Sequence, residues 1–202
     1  MFTIFGVCML ENIEKYAKEY NIPIMQKEGI EFLTDFIRKN NIKKILEIGT
    51  AIGYSAIKMA LVDQNIEIVS IERDNERYKE AVKNVKLFNL ENRIKLINQD
   101  AFDVELNDKF DLIFIDAAKA QSIKFFTKFE KNLNDNKYII TDNINFHGLV
   151  GSNEKMSRNL KQLVRKISDY VDFLKNNNNY ITKFYDIGDG ISVSIKRWSR
   201  WK

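Results

Sequence analysis

The sequence predicts an α/β fold in which helices cover both faces of a mostly parallel sheet. Short apolar runs alternate with amphipathic helical stretches along most of the 202-residue chain. The central runs are continuously apolar, which is typical of parallel strands buried on both faces. The last run instead alternates apolar and polar residues behind the turn Gly188-Asp189-Gly190. This pattern predicts a terminal antiparallel hairpin on a doubly wound sheet.

Two helices are expected ahead of the first strand. Apolar residues recur at helical spacing over 9–20 and again over 25–39, and Pro23 separates the two stretches. We expect residues 1–40 to form an N-terminal helical segment that packs on a single domain formed by residues 41–202.

Seven strands and four further helices are expected to follow in alternation. The run FDLIFID at 110–116 carries the strongest strand signal of the chain. The predicted strands are 43–48, 66–72, 93–98, 110–116, 137–143, 180–187 and 191–197. The predicted helices are 54–63, 74–88, 119–132 and 154–175.

Composition excludes several classes of protein. Cys8 is the only cysteine and His147 the only histidine, which excludes a disulfide framework, a cysteine zinc site and a multi-histidine metal centre. No apolar run approaches the ~18 residues of a membrane span. The apolar first ten residues lack a basic region and a small-residue cleavage site, so we expect a cytoplasmic protein without a membrane partner.

The basic residues are unevenly distributed. The net charge is +4, and residues 151–202 carry 11 Lys and Arg against 5 Asp and Glu. This excess permits an anionic partner such as RNA. A solvated helix face and tail would give the same pattern, and charge by itself does not distinguish the two interpretations.

A glycine turn follows the first predicted strand. The dinucleotide-binding pattern G-x-G-x-x-G is absent, because Ala51 stands where its second glycine would be. The chain instead reads E-x-G-x-x-x-G, with Glu47 ahead of Gly49 and Gly53. A carboxylate there would repel a pyrophosphate but suit a cationic ligand. Glu72, at the end of the second strand, is placed to accept ribose hydroxyls. Together these features describe a ligand that is a nucleoside with a positive charge and no phosphate, which is S-adenosylmethionine.

Two further residues follow the third predicted strand. Asp100 could bond the amino group of the adenine, and Ala101 would leave room for the ring. A turn or helix-cap role for Asp100 explains the same residue equally well.

Oxygen-bearing side chains end the fourth and fifth predicted strands. If these strands are neighbours, Asp116, Asp142 and Asn143 meet at one edge of the sheet. Two carboxylates and an amide form a hard-cation set, which suits Mg²⁺, Ca²⁺ or Mn²⁺. Lys119 lies one turn away and could act as a base or hold an anionic oxygen. Taken singly, each of these residues is equally typical of a cap, a turn or an exposed helix position.

Taken together, the motifs resemble the metal-dependent O-methyltransferases of the catechol and caffeoyl-CoA type over about residues 20–197. The resemblance rests on LEIGTAIGYSA (46–56), IERD (71–74), DAF (100–102), FIDAAK (114–119), TDN (141–143) and IGDG (187–190). It implies a Rossmann-like class I methyltransferase fold, S-adenosylmethionine and Mg²⁺ as cofactors, and a homodimer. It further implies that Asp116, Asp142 and Asn143 bind the metal, and that Lys119 and Asp116 are catalytic. The cofactor residues implied are Glu47, Gly49, Thr50, Ala51, Gly53, Ser55, Glu72, Arg73, Asp100, Ala101 and Asp116.

Within this family the chain is most similar to the bacterial tRNA 5-hydroxyuridine methyltransferases. The likeness is carried by IPIM (22–25), LEIGTAIGYSAIKMA (46–60), FIDAAKAQ (114–121) and DNINFHGLV (142–150). It implies methylation of the wobble nucleoside and contact with the tRNA anticodon loop. Candidate substrate residues are Met25, His147, Lys155, Arg158 and Arg165. A small catechol-type acceptor and a non-catalytic RNA- or S-adenosylmethionine-binding module remain the alternatives.

The chain departs from the family pattern at two places. Ser122 stands where the family usually has an aromatic residue, three positions after its lysine. Residues 1–8 are short and atypical. Two interpretations of them stay open, an upstream start before a functional beginning at Met9, or a segment that packs in a dimer.

Overall fold

The computed structural model describes residues 4–145 and 157–197. The strands are β1 (Lys44–Ile48), β2 (Glu67–Glu72), β3 (Ile94–Asn98), β4 (Phe110–Ile115), β5 (Leu133–Asp142), β6 (Tyr180–Tyr185) and β7 (Ile191–Lys196). The helices are α1 (Ile4–Glu19), α2 (Lys27–Lys39), α3 (Tyr54–Ala60), α4 (Asn75–Leu87), α5 (Ser122–Phe129) and α6 (Arg158–Asn176).

The seven strands form one sheet in the order β3-β2-β1-β4-β5-β7-β6. All neighbours up to β5 pair in parallel, and β7 is antiparallel to both β5 and β6. The predicted fold class, with its terminal antiparallel hairpin, is therefore confirmed. The strand order reverses between β1 and β4, and in such sheets ligands bind at the carboxyl ends of the strands beside this switch point.

Side chains of β4 alternate between two hydrophobic cores. Leu112 and Phe114 belong to the core shared with α1, α2 and α3, whereas Ile113 and Ile115 belong to the core shared with α5 and α6. All four are at most 1% exposed. Burial on both faces explains why this strand reads as an unbroken apolar run.

Several element boundaries differ from those predicted. The stretch 119–132 is divided into a 3₁₀ turn at 119–121, helix α5, and a second 3₁₀ turn at 130–132. Asn132 donates from Nδ2 to the carbonyl oxygens of Leu106 and Asp108, at 2.9 Å each, which holds the second turn against the loop before β4. The spacing of apolar residues along the sequence cannot predict hydrogen bonds between a side chain and a distant segment.

Strand β5 begins at Leu133, four residues before the predicted start. Leu133 pairs with Phe110, and the register shifts between Phe110 and Leu112. Asn136 has a left-handed φ of 57°. The Asn and Asp residues between Leu133 and residue 137 have low strand propensity, so the sequence did not predict this part of the strand.

The first and the last helix also begin at residues other than those predicted. Helix α1 begins at Ile4 instead of residue 9, and α6 begins at Arg158, where the Ser157 hydroxyl accepts from the Leu160 N–H at 3.3 Å. Residues 154–156 of the predicted helix lie outside the described residues. Within the described ranges, no helix is long and apolar enough to cross a membrane. The division of the chain at residue 40 stays a prediction.

Candidate active site

A cavity of about 730 Å³ opens at the carboxyl ends of the strands beside the switch point. Its walls come from the turns after β1, β2, β3, β4 and β5, from the link between α1 and α2, from Leu163 of α6, and from the turn between β6 and β7. Most of the predicted site residues line it. They separate into a cofactor end and a metal end.

The glycine turn after β1 forms the floor of the cofactor end. Gly49 has a φ of 103°, and its N–H donates to the carbonyl oxygen of Ile71 at 3.0 Å. Gly53 has a φ of 84° and precedes the first turn of α3. Gly49, Thr50, Ala51 and Ser55 line the cavity, whereas Gly53 does not and lies against Ala81 of α4.

Glu47 lies beneath this turn and does not line the cavity. Its carboxyl is fully buried and accepts hydrogen bonds from Ser55 Oγ, at 2.5 Å, and from Ser70 Oγ. Thr50 Oγ1 lies 2.5 Å from Ser70 Oγ and extends the network. Burial raises the pKa of Glu47 to about 7 against the pull of the two serine hydroxyls. In the structure the Glu47 carboxyl stabilises the glycine turn through these hydrogen bonds, and its predicted role at the cofactor site stays a prediction.

Glu72 lines the cavity with a carboxylate that the backbone holds in place. Oε2 accepts from the Ala51 N–H and Oε1 from the Asp74 N–H, both at 2.8 Å. Ala51, whose N–H makes the first of these bonds, adopts a left-handed φ of 46°. Each oxygen has further accepting capacity, as the predicted ribose contact requires.

Asp100, Ala101 and Arg73 complete the cofactor end. Asp100 Oδ1 accepts from the Phe102 N–H at 2.9 Å, so the turn role that the sequence left open is present. Asp100 Oδ2 lies 3.7 Å from Arg73 Nη1, in an exposed ion pair. All three residues line the cavity, so the turn role and a cofactor role are compatible.

The metal end brings together the three predicted oxygen-bearing side chains. Because β4 and β5 are neighbours, Asp116 and Asp142 project from the same sheet edge. Asn143 has a left-handed φ of 66°, a conformation that asparagine tolerates. Its Nδ2 donates to Asp116 Oδ1 at 3.2 Å and to Asp142 Oδ2 at 3.0 Å.

This cluster fits a hard divalent cation. Burial raises the pKa of the Asp116 and Asp142 carboxyls, and the charge of Asp116 adds to the rise at Asp142. Two desolvated, mutually repelling carboxylates gain stability from a cation between them. The third donor is an amide. Accordingly, the described part of the chain contains no cluster of three or more His, Cys, Asp or Glu side chains suited to a metal.

Lys119 reaches the metal end from the 3₁₀ turn before α5. Its Nζ donates to Asn143 Oδ1 at 2.8 Å. Burial lowers the pKa of its ammonium group, and the nearby carboxylates of Asp189, Asp116 and Asp142 oppose that shift. The predicted proximity of the lysine to the metal set is therefore present in the structure.

The sequence did not identify several cavity residues, among them Asp189 and Phe125. Asp189 lines the cavity from the β6–β7 turn; the sequence predicted a hairpin there and counted IGDG toward the family resemblance, but assigned no role to Asp189. Phe125 lines it from α5 and stacks on Phe102, with ring centroids 4.7 Å apart. Ser122 is buried and donates from Oγ to the Lys119 carbonyl oxygen at 3.0 Å. The aromatic ring of Phe125 thus borders the cavity one helical turn beyond Ser122.

The candidate substrate residues are dispersed. Met25 lines the cavity and is buried. Arg158 and Arg165 are exposed on α6, on the side of the helix away from Leu163, and do not line the cavity. His147 and Lys155 lie outside the described residues.

Comparison with known proteins places the chain among O-methyltransferases. The family model described as O-methyltransferase matches residues 6–197. A structure solved as that of a candidate caffeoyl-CoA O-methyltransferase from Staphylococcus aureus is 39% identical, with a TM-score of 0.89. The alignment covers 93% of this chain and 91% of the other.

Two more distant proteins agree with this match. The flavonoid 3',5'-methyltransferase of Vitis vinifera is 27% identical, with 89% of this chain and 80% of the relative covered. An O-methyltransferase from Bacillus cereus, solved in complex with SAH, is 24% identical with a TM-score of 0.82. Coverage there is 94% of this chain and 91% of the other, and at this identity the likeness shows a shared fold.

Proposed function

The chain belongs to the O-methyltransferase family, and on that premise we propose that it catalyses S-adenosylmethionine-dependent, divalent-metal-assisted methylation of an acceptor with two adjacent oxygens. One observation carries the proposal. A single cavity holds a hydroxyl-accepting carboxylate, Glu72, at one end and the buried set Asp116, Asp142 and Asn143 at the other.

At the cofactor end, the residues present an acidic and partly apolar surface suited to an adenosyl group. Glu72 accepts the ribose hydroxyls with a carboxylate already oriented by two backbone N–H groups. Ala101 and Phe125 provide apolar surface for the adenine. S-adenosylmethionine supplies the methyl group by in-line displacement at its sulfonium centre.

At the metal end, Asp116, Asp142 and Asn143 would hold the cation, which we propose to be Mg²⁺. When bound, such a cation lowers the pKa of an acceptor hydroxyl and fixes two adjacent oxygens for attack. Asn143 presents its oxygen to the cation after a half-turn of its amide, since Nδ2 now faces the two carboxylates.

Lys119 acts at the acceptor oxygen. Its Nζ lies at the metal end, 2.8 Å from Asn143 Oδ1, within reach of any oxygen chelated there. Burial lowers the pKa of the ammonium group, which favours the neutral amine. We propose that Lys119 takes the hydroxyl proton, or holds the resulting oxyanion in line with the methyl group.

As the acceptor we propose 5-hydroxyuridine at the tRNA wobble position, which would give 5-methoxyuridine. This nucleoside offers two adjacent oxygens, the 5-hydroxyl and O4. The supporting observation is a row of exposed basic residues on α6, Arg158, Lys161 and Arg165, on the helix whose Leu163 lines the cavity. In this proposal they contact phosphates of the RNA whose base enters the cavity, from the side of α6 that faces away from Leu163.

A small catechol-type acceptor is the second candidate. The cavity lining includes apolar residues, namely Ile24, Met25 and Leu163, which suit an aromatic ring. The Vitis vinifera relative is named for action on flavonoids. A non-catalytic binding module is disfavoured, since binding alone has no need of an intact cation-binding set.

The test is methyl transfer from labelled S-adenosylmethionine to total tRNA from cells that lack this gene, with Mg²⁺ or excess chelator. The product nucleoside is identified by mass spectrometry, and catechol is assayed in parallel. We expect chelator-sensitive 5-methoxyuridine formation that falls steeply with salt. Turnover of catechol alone, unaffected by salt, would replace the RNA acceptor with a small molecule. Full activity in chelator would remove the metal role.

A further inference from the structure

The metal end of the cavity contains a third carboxylate that the proposed ligand set does not use. Asp189 lines the cavity together with Asp116, Asp142 and Lys119. When Lys119 is the ammonium group that holds the oxyanion, three carboxylates balance the charge of that group and of one divalent cation, so these protein groups and the cation are neutral together only if Asp189 is counted. This balance points to a role for Asp189 beside Lys119.

The backbone of Asp189 is fixed relative to the proposed metal ligands. The two residues after Asn143 pair with its turn: the Asn145 N–H donates to the Asp189 carbonyl oxygen at 2.8 Å, and the Ile144 N–H to that of Gly190 at 3.0 Å. Gly190 permits this approach, because a Cβ there would lie 2.7 Å from Asn145 Cβ. Asp189 is therefore held next to the ligand set by hydrogen bonds and close packing.

Lys119 loses Asn143 Oδ1 as an acceptor once a cation binds. Its Nζ donates to Asn143 Oδ1, the only atom of that side chain that can ligate a metal. When Oδ1 turns to a cation, Nδ2 turns toward Lys119, and two donors face each other. Burial lowers the pKa of the Lys119 ammonium group, and among the charges that oppose this shift that of Asp189 is the largest.

We propose that Asp189 is the positioning residue for Lys119, holding its ammonium group at the acceptor end of the cavity when Asn143 Oδ1 is bound to a cation. This inference rests on the proposed metal-assisted function. It adds a residue from the β6–β7 turn to the active site, acting through Lys119 instead of touching the metal or the methyl group.

The test compares Asp189→Asn and Asp189→Glu with Asp186→Asn, a matched control in the same turn. Asp186 is exposed and outside the cavity, and Asn145 Nδ2 lies 3.3 Å from its Oδ1. Steady-state kinetics gives kcat and KM, and calorimetry gives the affinities for SAH and for the cation. The rate at which a small amine-reactive reagent acylates Lys119 is followed by mass spectrometry. Acylation is followed with Mg²⁺ and in chelator.

We expect Asp189→Asn to lower kcat about tenfold with KM for S-adenosylmethionine nearly unchanged, since a charged hydrogen bond is lost without loss of the cofactor end. Lys119 in the Mg²⁺-loaded variant should acylate about fivefold faster than in wild type, the effect of a lost, partly exposed ion pair. Asp189→Glu should restore most of the protection, and Asp186→Asn should match wild type.

Several outcomes would overturn the inference alone. In one, wild type binds Mg²⁺ and turns over normally while Asp189→Asn keeps wild-type kcat and Lys119 acylation. The second outcome does not depend on how the variants fold. An ammonium group held by Asp189 should stay protected from acylation when Mg²⁺ binds, so a strong acceleration of Lys119 acylation by Mg²⁺ in wild type would contradict the inference. A wild-type protein that binds no divalent cation would overturn the proposed function, and the inference with it.

Discussion

The backbone carbonyl oxygen of Asp116 lies 2.1 Å from the position that a Cβ on Gly49 would occupy. This close approach joins the cofactor end of the cavity to the metal end. Gly49 begins the turn after β1, and Asp116 directly follows β4. The Asp116 N–H donates to the Ile48 carbonyl oxygen at 2.9 Å. The absence of a side chain at residue 49 therefore sets the spacing between the two halves of the site.

Gly49→Ala should destabilise the protein by about 3 kcal/mol or more, the sum of an unfavourable positive φ and an overpacked contact. The backbone of Asp116 must also move, so metal affinity should fall. Thermal and urea denaturation measure the first effect. Gly188→Ala is the control, since its φ is also positive but the nearest atom to its Cβ, Gln26 Oε1, lies 3.5 Å away. A similar loss in both variants would assign the effect to φ and not to the contact.

Asp142→Ala should abolish turnover while leaving cofactor binding largely intact. Loss of a cation's charge stabilisation, worth several kcal/mol, predicts a fall in kcat of about 100-fold or more. Glu72 and the glycine turn are unchanged, so the SAH dissociation constant should stay within about twofold by calorimetry. Asp135→Ala, at an exposed position of the same strand, is the control. Full activity of Asp142→Ala would end the metal assignment.

Lys119→Met should reduce kcat far more than it changes KM. Proton transfer by a positioned side chain contributes about 10²- to 10⁴-fold, which bounds the expected loss. Steady-state kinetics at saturating cofactor provides the measurement. Lys124→Met removes an exposed lysine of α5 and should behave as wild type. An unchanged kcat in Lys119→Met would make the lysine a bystander.

Glu72→Gln should weaken cofactor binding about tenfold to a hundredfold, as expected when charged hydrogen bonds to a ligand are lost. The substituted amide also places an NH₂ group against the N–H of Ala51 or Asp74, which disturbs the turn. Calorimetry with SAH measures the loss. Glu67→Gln, at the exposed start of the same strand, should bind normally. Equal affinities for the two variants would exclude the ribose contact.

Glu47 should make the apoprotein less stable as the pH rises. Its folded pKa is about 7 and its ordinary value 4.5, so the unfolded chain ionises first. Stability is therefore lost between about pH 4.5 and 7 and changes little above that, by about 3 kcal/mol at about 1.4 kcal/mol per pKa unit. Glu47→Gln should lack this part of the pH dependence. The test is the difference in unfolding free energy between the two proteins at pH 4.5 and 7.5, because shifts at other carboxyls cancel in it. A difference independent of pH would contradict the raised pKa.

The order of the elements, and most of the predicted site residues that line the cavity, could be named from the sequence. Apolar runs that alternate with helical periodicity predicted the sheet, because strands buried on both faces consist almost entirely of apolar residues. The alternating last run behind a glycine turn predicted the terminal hairpin. Asp116, Asp142 and Asn143 could be named because parallel strands end at a common edge, so that chain position implies proximity in space.

The tertiary structure decided what each of these side chains does. Glu47 and Glu72 both lie near the carboxyl end of a strand beside the glycine turn, yet Glu47 is fully buried beneath the turn and Glu72 lines the cavity. Asp189, 46 residues beyond Asn143 in the chain, reaches the same cavity only because β7 pairs with β5. Hydrogen-bond partners and burial depend on contacts between distant segments. A single sequence records the pattern that drives folding, whereas those contacts exist only in the folded chain.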